Sequence, residues 1–274
     1  MSERETSGWD TKTALVTGAA GGIGRAAALA FAARGAKVVA VDVDAEGGEQ
    51  TASGIRAQGG EAVFVRADVS KAADVQRMVE ETTQAYGRLD FAFNNAGIEG
   101  RRVKTAEYTE EEWDRVLGVN LKGVWLCMKY EIPAMTRGGG GAIVNTASVA
   151  GLTGLKRSAP YAVTKHGIIG LTKTAALEYF KSGIRINAIC PGMIETRMLD
   201  RAVAGKAGDG SDAITRLYQK FKKRFSYSLI KKDLPSGRFG KAEEAAAAAV
   251  WLCSDQASFI TGHALVVDGG YLAR

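Results

Sequence analysis

The sequence predicts an α/β fold, a mostly parallel sheet with helices on both faces, and three observations predict it. Short apolar runs alternate with helix-period segments along nearly all of the 274 residues, the order that βα crossovers require. A glycine-rich turn follows the first apolar run at once. Gly18, Asp42, Asp68, Asn94, Ser148 and Pro191 close successive runs, and ligands of such sheets bind beyond the carboxyl ends of the strands.

Residues 13–17 read as the first strand, followed by Gly18-Ala19-Ala20-Gly21-Gly22-Ile23-Gly24 and a helical pattern over about 23–34. Glycines let the backbone turn tightly and approach a pyrophosphate, whose charge the amides at a helix start can hold. The second strand, 36–41, ends at Asp42. An acidic residue about twenty positions past the glycine turn can accept hydrogen bonds from adenosine ribose hydroxyls and repels a 2′-phosphate. No Lys or Arg stands at Gly21 or Val43 to attract one, so NAD is expected over NADP. Asp42 could equally cap the helix that starts near Ala45.

The alternation continues with a helix over 45–58, a strand over 61–66 ending at Asp68-Val69, a helix over 72–86 and a strand over 89–93. That strand runs into Asn94-Asn95-Ala96-Gly97, a small-residue turn that admits a flat ligand closely. Helices follow from about 110 and over 120–135, then a fifth strand over 142–147. A helix over 161–180, a strand over 184–190 closed by Pro191-Gly192, a helix over 242–253 and a strand over 264–267 complete the series.

The chemistry-bearing stretch lies between the fifth strand and the helix after it. Ser148 ends the strand, Tyr161 follows thirteen residues later and Lys165 four after that. Residues four apart on a helix share a face. A phenol titrates near 10 in water, and a fixed cation beside it favours the phenolate. Ser148 could hold a substrate oxygen against that phenol, an arrangement suited to moving a proton on or off an alcohol. The spacing alone is weak, since Tyr218/Lys222 and Tyr227/Lys231 repeat it without a serine thirteen residues upstream.

Composition narrows the classes. Hydrophobic content of 46% and charged content of 24% are those of an ordinary globular protein. Residues 1–12 are polar, and no apolar run reaches the length of a membrane span. Cys127, Cys190 and Cys253 are far apart and odd in number, and His166 and His263 are isolated. No metal site is expected, and a cytoplasmic location is. The net charge of +6 is local: residues 200–241 hold 11 Lys or Arg against 4 Asp or Glu. A nucleic-acid binder is therefore not expected.

Together Thr17-Gly18-x-x-x-Gly22-x-Gly24, Asp68-Val69, Asn94-Asn95-Ala96-Gly97, Asn120, Ser148, Tyr161-x-x-x-Lys165, Pro191-Gly192 and Asp268-Gly269-Gly270 resemble the short-chain dehydrogenase/reductase family, over about residues 12–272. The resemblance implies a single-domain Rossmann fold over 13–274 with a seven-stranded sheet, preceded by an extension over 1–12, and a homotetramer. It implies that Tyr161 is the general acid/base, that Lys165 lowers its pKa and binds the nicotinamide ribose, that Ser148 orients the substrate oxygen, and that Asn120 holds a relay water. Cofactor contacts implied are Gly18, Gly22, Ile23, Gly24, Asp42, Asp68, Val69, Asn94, Ala96, Gly97, Tyr161, Lys165, Pro191, Gly192, Ile194 and Thr196.

The expected activity is NAD-dependent oxidation of a hydrophobic cyclic or aromatic secondary alcohol, or reduction of the ketone. The alternative is an NADPH-dependent 3-oxoacyl-thioester (acyl-carrier-protein) reductase. A substrate lid is expected at about 193–237, with Tyr218, Phe221, Phe225 and Tyr227 interleaved with lysines. Either its apolar side would face the substrate and its lysines water, or its lysines would meet an anionic substrate such as a carboxylate or a CoA or carrier-protein thioester.

Overall fold

The computed structural model describes residues 8–196, 198–199 and 234–273. Most of the expected lid, residues 197 and 200–233, and both of its tyrosine–lysine pairs lie outside the described residues.

The strands are β1 (Thr13–Thr17), β2 (Lys37–Asp42), β3 (Ala62–Arg66), β4 (Phe91–Asn94), β5 (Gly141–Thr146), β6 (Ile184–Pro191) and β7 (Ala264–Val267). They form one seven-stranded sheet in the order β3-β2-β1-β4-β5-β6-β7, parallel at every pairing. The strand runs are near-continuously apolar because both faces are covered. One face carries α3 (Ala72–Tyr86), α5 (Gly123–Arg137) and α6 (Ala159–Tyr179), whose Met78, Leu126, Met135 and Ile168 share a core with Leu15, Val39 and Ile143. The other carries α1 (Gly22–Ala33), α2 (Ala45–Ala57) and a helix here numbered α7 (Ala242–Cys253). There Phe31, Ile55 and Val250 pack on Val16, Val38 and Phe93. Trp9 joins that core, its ring 4.6 Å from that of Phe91.

Strand order reverses between β1 and β4, so their carboxyl ends open a crevice. Thr17 closes its floor: its hydroxyl accepts from the amides of Asn95 at 3.0 Å and Ala96 at 3.1 Å.

Most expected elements appear within one or two residues of their sequence limits. The helix expected over 120–135 differs in kind. Asn120 lies in a π-helical turn, Gly118–Lys122, that joins α4 (Glu110–Leu117) to α5 without a break. Such turns re-aim side chains out of the regular helical register and cluster at functional sites. The helix carrying Tyr161 begins two residues earlier than expected, at Ala159, because Pro160 is suited to a first turn.

Candidate active site

The glycine turn between β1 and α1 is shaped by contacts that leave no room for side chains. Gly18 and Gly22 have φ of +69° and +53°, where glycine is favoured. A Cβ on Gly24 would stand 2.1 Å from the Gly18 carbonyl oxygen, and one on Gly18 would stand 2.8 Å from Asn95 Nδ2. The N-cap of α1, Gly21, supplies no side-chain oxygen to its first turn, so those amides remain suited to an anion. This cradle fits the pyrophosphate of a dinucleotide.

Asp42 lies at the end of β2. Its carboxylate accepts from the Ala20 amide at 2.9 Å and the Asp44 amide at 3.0 Å. Capping of α2 falls to Asp44, which accepts from Gly47 at 3.1 Å. The strand-end aspartate thus braces the glycine turn, and each of its oxygens keeps a lone pair for another donor.

At the ends of β5 and α6, Ser148, Tyr161 and Lys165 come together. The Ser148 oxygen accepts from the Ala150 amide at 3.1 Å, which fixes its rotamer, and the Ser148 side chain draws the Tyr161 phenol down from where burial alone would put it. Burial pushes that phenol up to about 12, against the pull of Ser148, and the Glu99 carboxylate raises it further. Lys165 is 4% exposed. Burial lowers its ammonium to about 8, partly offset by Cys190. Its Nζ donates to the Thr146 carbonyl oxygen at 2.6 Å and lies 5.5 Å from the Tyr161 ring centre. In the chain by itself burial is the largest influence on the phenol, and Ser148 is the group that opposes it.

Asn120 is fully buried, and its side chain grips the backbone of Ile98 from both sides. Oδ1 accepts from Ile98 N and Nδ2 donates to Ile98 O, each at 2.8 Å. That grip fixes the turn containing Gly97, where a Cβ would stand 3.3 Å from Asn120 Oδ1. Asn94 is 1% exposed, and its amide points into the core beneath the crevice, donating to Glu131 and Asn145. Any contact it makes with a cofactor is one of its backbone. Ala96 and Gly97 stay in the turn above it.

Asp68 follows β3. Burial pushes its carboxyl up, but hydrogen bonds from Ser70 and the Lys71 ammonium outweigh this and hold it below its ordinary value. Val69 is buried against Gly123 at the start of α5. Past β6, Gly192 approaches Asp268 so closely that a Cβ would stand 2.8 Å from the Asp268 Cβ. The Ile194 side chain packs in the core on Gly240. The bridge there uses the Met193 carbonyl and the Glu195 amide, leaving the Ile194 amide outside it. Thr196 lies over the glycine turn, its Cγ2 3.1 Å from where a Cβ of Gly22 would be. The crevice thus gathers Gly18, Gly22, Ile23 and Gly24, Asp42, the 94–97 turn, Ser148, Tyr161, Lys165 and Thr196 along one edge of the sheet.

Two organising residues went unselected in the sequence. Asn95 Nδ2 donates to the Thr17 carbonyl at 3.1 Å, and its Oδ1 accepts from Thr146 at 3.4 Å, tying β1, β4 and β5 together. Thr146 in turn supplies the carbonyl that holds Lys165. The doubled asparagine was the available signal for the first; nothing local marks the second.

Comparison with known proteins gives the family and agrees with the fold. The family described as Enoyl-(Acyl carrier protein) reductase matches residues 18–272. The chain is 42% identical to 2,5-dichloro-2,5-cyclohexadiene-1,4-diol dehydrogenase of Sphingobium indicum, over 96% of this chain and 97% of that one. It is 41% identical to cyclohexanol dehydrogenase of an Acinetobacter species, over 97% of each. The crystal structure of levodione reductase superposes with a TM-score of 0.88 at 39% identity, covering 96% of this chain and 98% of that one. The chain belongs to the short-chain dehydrogenase/reductase family and is a nicotinamide-dependent oxidoreductase acting on alcohol groups.

Proposed function

We propose that this protein interconverts a hydrophobic cyclic secondary alcohol and its ketone, with NAD as the cofactor. The observation that carries the reaction type is the Ser148–Tyr161–Lys165 cluster at the sheet edge that also holds the glycine cradle. Bound nicotinamide supplies the site's capacity to take up or release hydride at carbon. The protein's part is positioning and proton movement. Ser148, with its oxygen fixed by the Ala150 amide, holds the substrate oxygen. Tyr161 takes the hydroxyl proton in oxidation and returns it in reduction. Lys165, anchored on Thr146, keeps a positive charge near the phenol and reaches the nicotinamide ribose. Asn120 holds the 97–98 turn that walls the site.

Asp42 supports NAD, because a 2′-phosphate would meet its carboxylate and no Lys or Arg stands at Gly21 or Val43. The cyclic substrate rests on the relatives named for a cyclohexadienediol and cyclohexanol. The matching family's description shares only the acyl carrier with the second reading, the 3-oxoacyl-thioester reductase, since an enoyl group is reduced at a carbon–carbon double bond, and Asp42 speaks against its NADPH. A lid over about 193–237 and a homotetramer belong to the same proposal. Exposed Trp125, Leu177 and Phe259 are apolar surface that assembly would cover.

The deciding experiment is a panel of cyclic, aromatic and aliphatic secondary alcohols with NAD and NADP, read at the reduced-nicotinamide absorbance, with light scattering for assembly. Turnover of cyclohexanols with NAD is the expected result. Preference for NADPH and a 3-oxoacyl thioester would replace this reading with the second.

A further inference from the structure

Glu131 is a fully buried acidic residue of α5, the helix whose Met128 and Met135 belong to one apolar cluster with Ile143. It is tied to one polar partner. Asn94 Nδ2 donates to Glu131 Oε2 at 3.0 Å and to Asn145 Oδ1 at 3.1 Å. Asn145 passes the chain on, donating to Thr172 Oγ1 at 3.0 Å. Two buried oxygens of this network have no partner, Glu131 Oε1 and Asn94 Oδ1. They belong to the same two side chains that already share a hydrogen bond. Turning the Asn94 amide over would set its oxygen against Asn145 Oδ1, an acceptor whatever the state of Glu131, so the network favours the orientation found.

A carboxylate only accepts, whereas a protonated carboxyl also donates. Ionised, Glu131 would leave a charge and two orphaned acceptors in an apolar core, each costly. One proton removes the charge and provides a donor for both oxygens to share. We propose that Glu131 is held as a neutral carboxylic acid whose proton bonds Asn94 Oδ1, closing a two-bond acid–amide pair that positions the carboxyl end of β4 and the 95–97 turn above it.

The surroundings agree. Burial pushes the Glu131 carboxyl up to about 7, against the pull of Asn94. Cys127, one turn earlier on α5, is pushed well above its usual value by burial and by Glu131. Other titratable groups on the packed elements answer to different partners: Tyr86 of α3 to Glu61 and Arg56, Lys165 of α6 to Cys190, Arg185 of β6 to Cys253 and Asp255. Glu131 is a positioning residue in this account.

The folded value lies above the ordinary carboxyl range. The acid–amide pair therefore stabilises fully below the unfolded value and is lost as pH rises through about 7. Glu131→Gln carries the same donor and acceptor at every pH. Three readouts need no turnover. Infrared spectra of wild type at about pH 6 should show a protonated-carboxyl band that E131Q lacks and that fades toward pH 8. The melting temperature of E131Q relative to wild type should rise from about pH 5 to pH 8. Hydrogen exchange at the Asn95 and Ala96 amides should slow several-fold in E131Q relative to wild type over the same range. Absence of the band in wild type overturns the proposal even if the variant fails to fold. So does a variant less stable than wild type by the same margin at every pH. None of these outcomes depends on the cofactor or substrate assignment.

Discussion

The Lys165 ammonium lies 5.5 Å from the centre of the Tyr161 ring while donating to Thr146, so the fixed cation is held beside the phenol by a strand of the sheet. Oxidation needs the phenolate and reduction needs the phenol. With the phenol pushed up to about 12, kcat/KM for alcohol oxidation should rise with pH across the neutral range. It should level off as Lys165 loses its charge through about 8, and ketone reduction should stay flat through neutrality. Tyr161→Phe should lower kcat by about 10² to 10⁴ in both directions, with cofactor affinity unchanged by fluorescence titration. Full activity in that variant would remove the proposed acid/base.

The same lysine makes a stability prediction. Its folded value of about 8 lies below the ordinary 10.5, so between the two the unfolded chain holds the extra proton. Stability therefore rises with pH over that window, and the penalty of the buried charge is complete below it. Lys165→Met should gain melting temperature relative to wild type near pH 7 and lose most of that gain near pH 10. The Thr146 carbonyl is left unpaired at both pH values, so its cost cancels in the comparison. A pH-independent difference would mean that the ammonium is not desolvated.

These two expectations mark where sequence reading stops. The βα order was legible because each buried strand, such as residues 13–17, is a short apolar run and each turn after it holds glycine, asparagine or aspartate. The Tyr161–Lys165 pairing was legible because helical spacing is local. The direction of the Tyr161 shift was not, since it depends on how much chain covers the ring. The π-helical turn at Asn120 left no sign in the apolar pattern. Asp42 and Asp44 stand two residues apart with the same side chain, and only geometry separates the brace of the glycine turn from the cap of α2. Glu131 carries no mark in the sequence, and only packing puts it at zero exposure.

Asp42→Ala should move cofactor preference toward NADP. Unit charges about 4 Å apart at an effective dielectric of about 20 interact by about 4 kcal/mol, so a tenfold change in the NAD/NADP ratio of kcat/KM, about 1.4 kcal/mol, is a conservative expectation. The variant also frees the Ala20 and Asp44 amides, so KM should rise for both cofactors. Asp42→Asn separates the effects: it removes the charge and keeps an acceptor for Ala20. If its cofactor ratio matches wild type, the carboxylate does not read the ribose.

Gly24 and Gly21 stand three residues apart in one turn and should respond oppositely to alanine. At Gly24 the new Cβ would meet the Gly18 carbonyl oxygen at 2.1 Å and Asn95 Nδ2 at 2.6 Å. Gly18 is itself confined by Asn95 and Ala96, so the contact cannot be relieved by moving one flexible side chain. Overpacking of this kind costs about 1–3 kcal/mol or more, and the strain falls on the cradle. Gly24→Ala should therefore lower the melting temperature and weaken dinucleotide binding by calorimetry at least about tenfold, the equivalent of about 1.4 kcal/mol. At Gly21 nothing lies within 4 Å of the added carbon, and φ of −174° is extended backbone open to any residue. Gly21→Ala should leave the melting temperature unchanged. Any loss of binding it shows would then come from the ligand's side of the turn, locating the pyrophosphate against α1. Equal losses of stability in the two variants would contradict the close approach of Gly24 to Gly18.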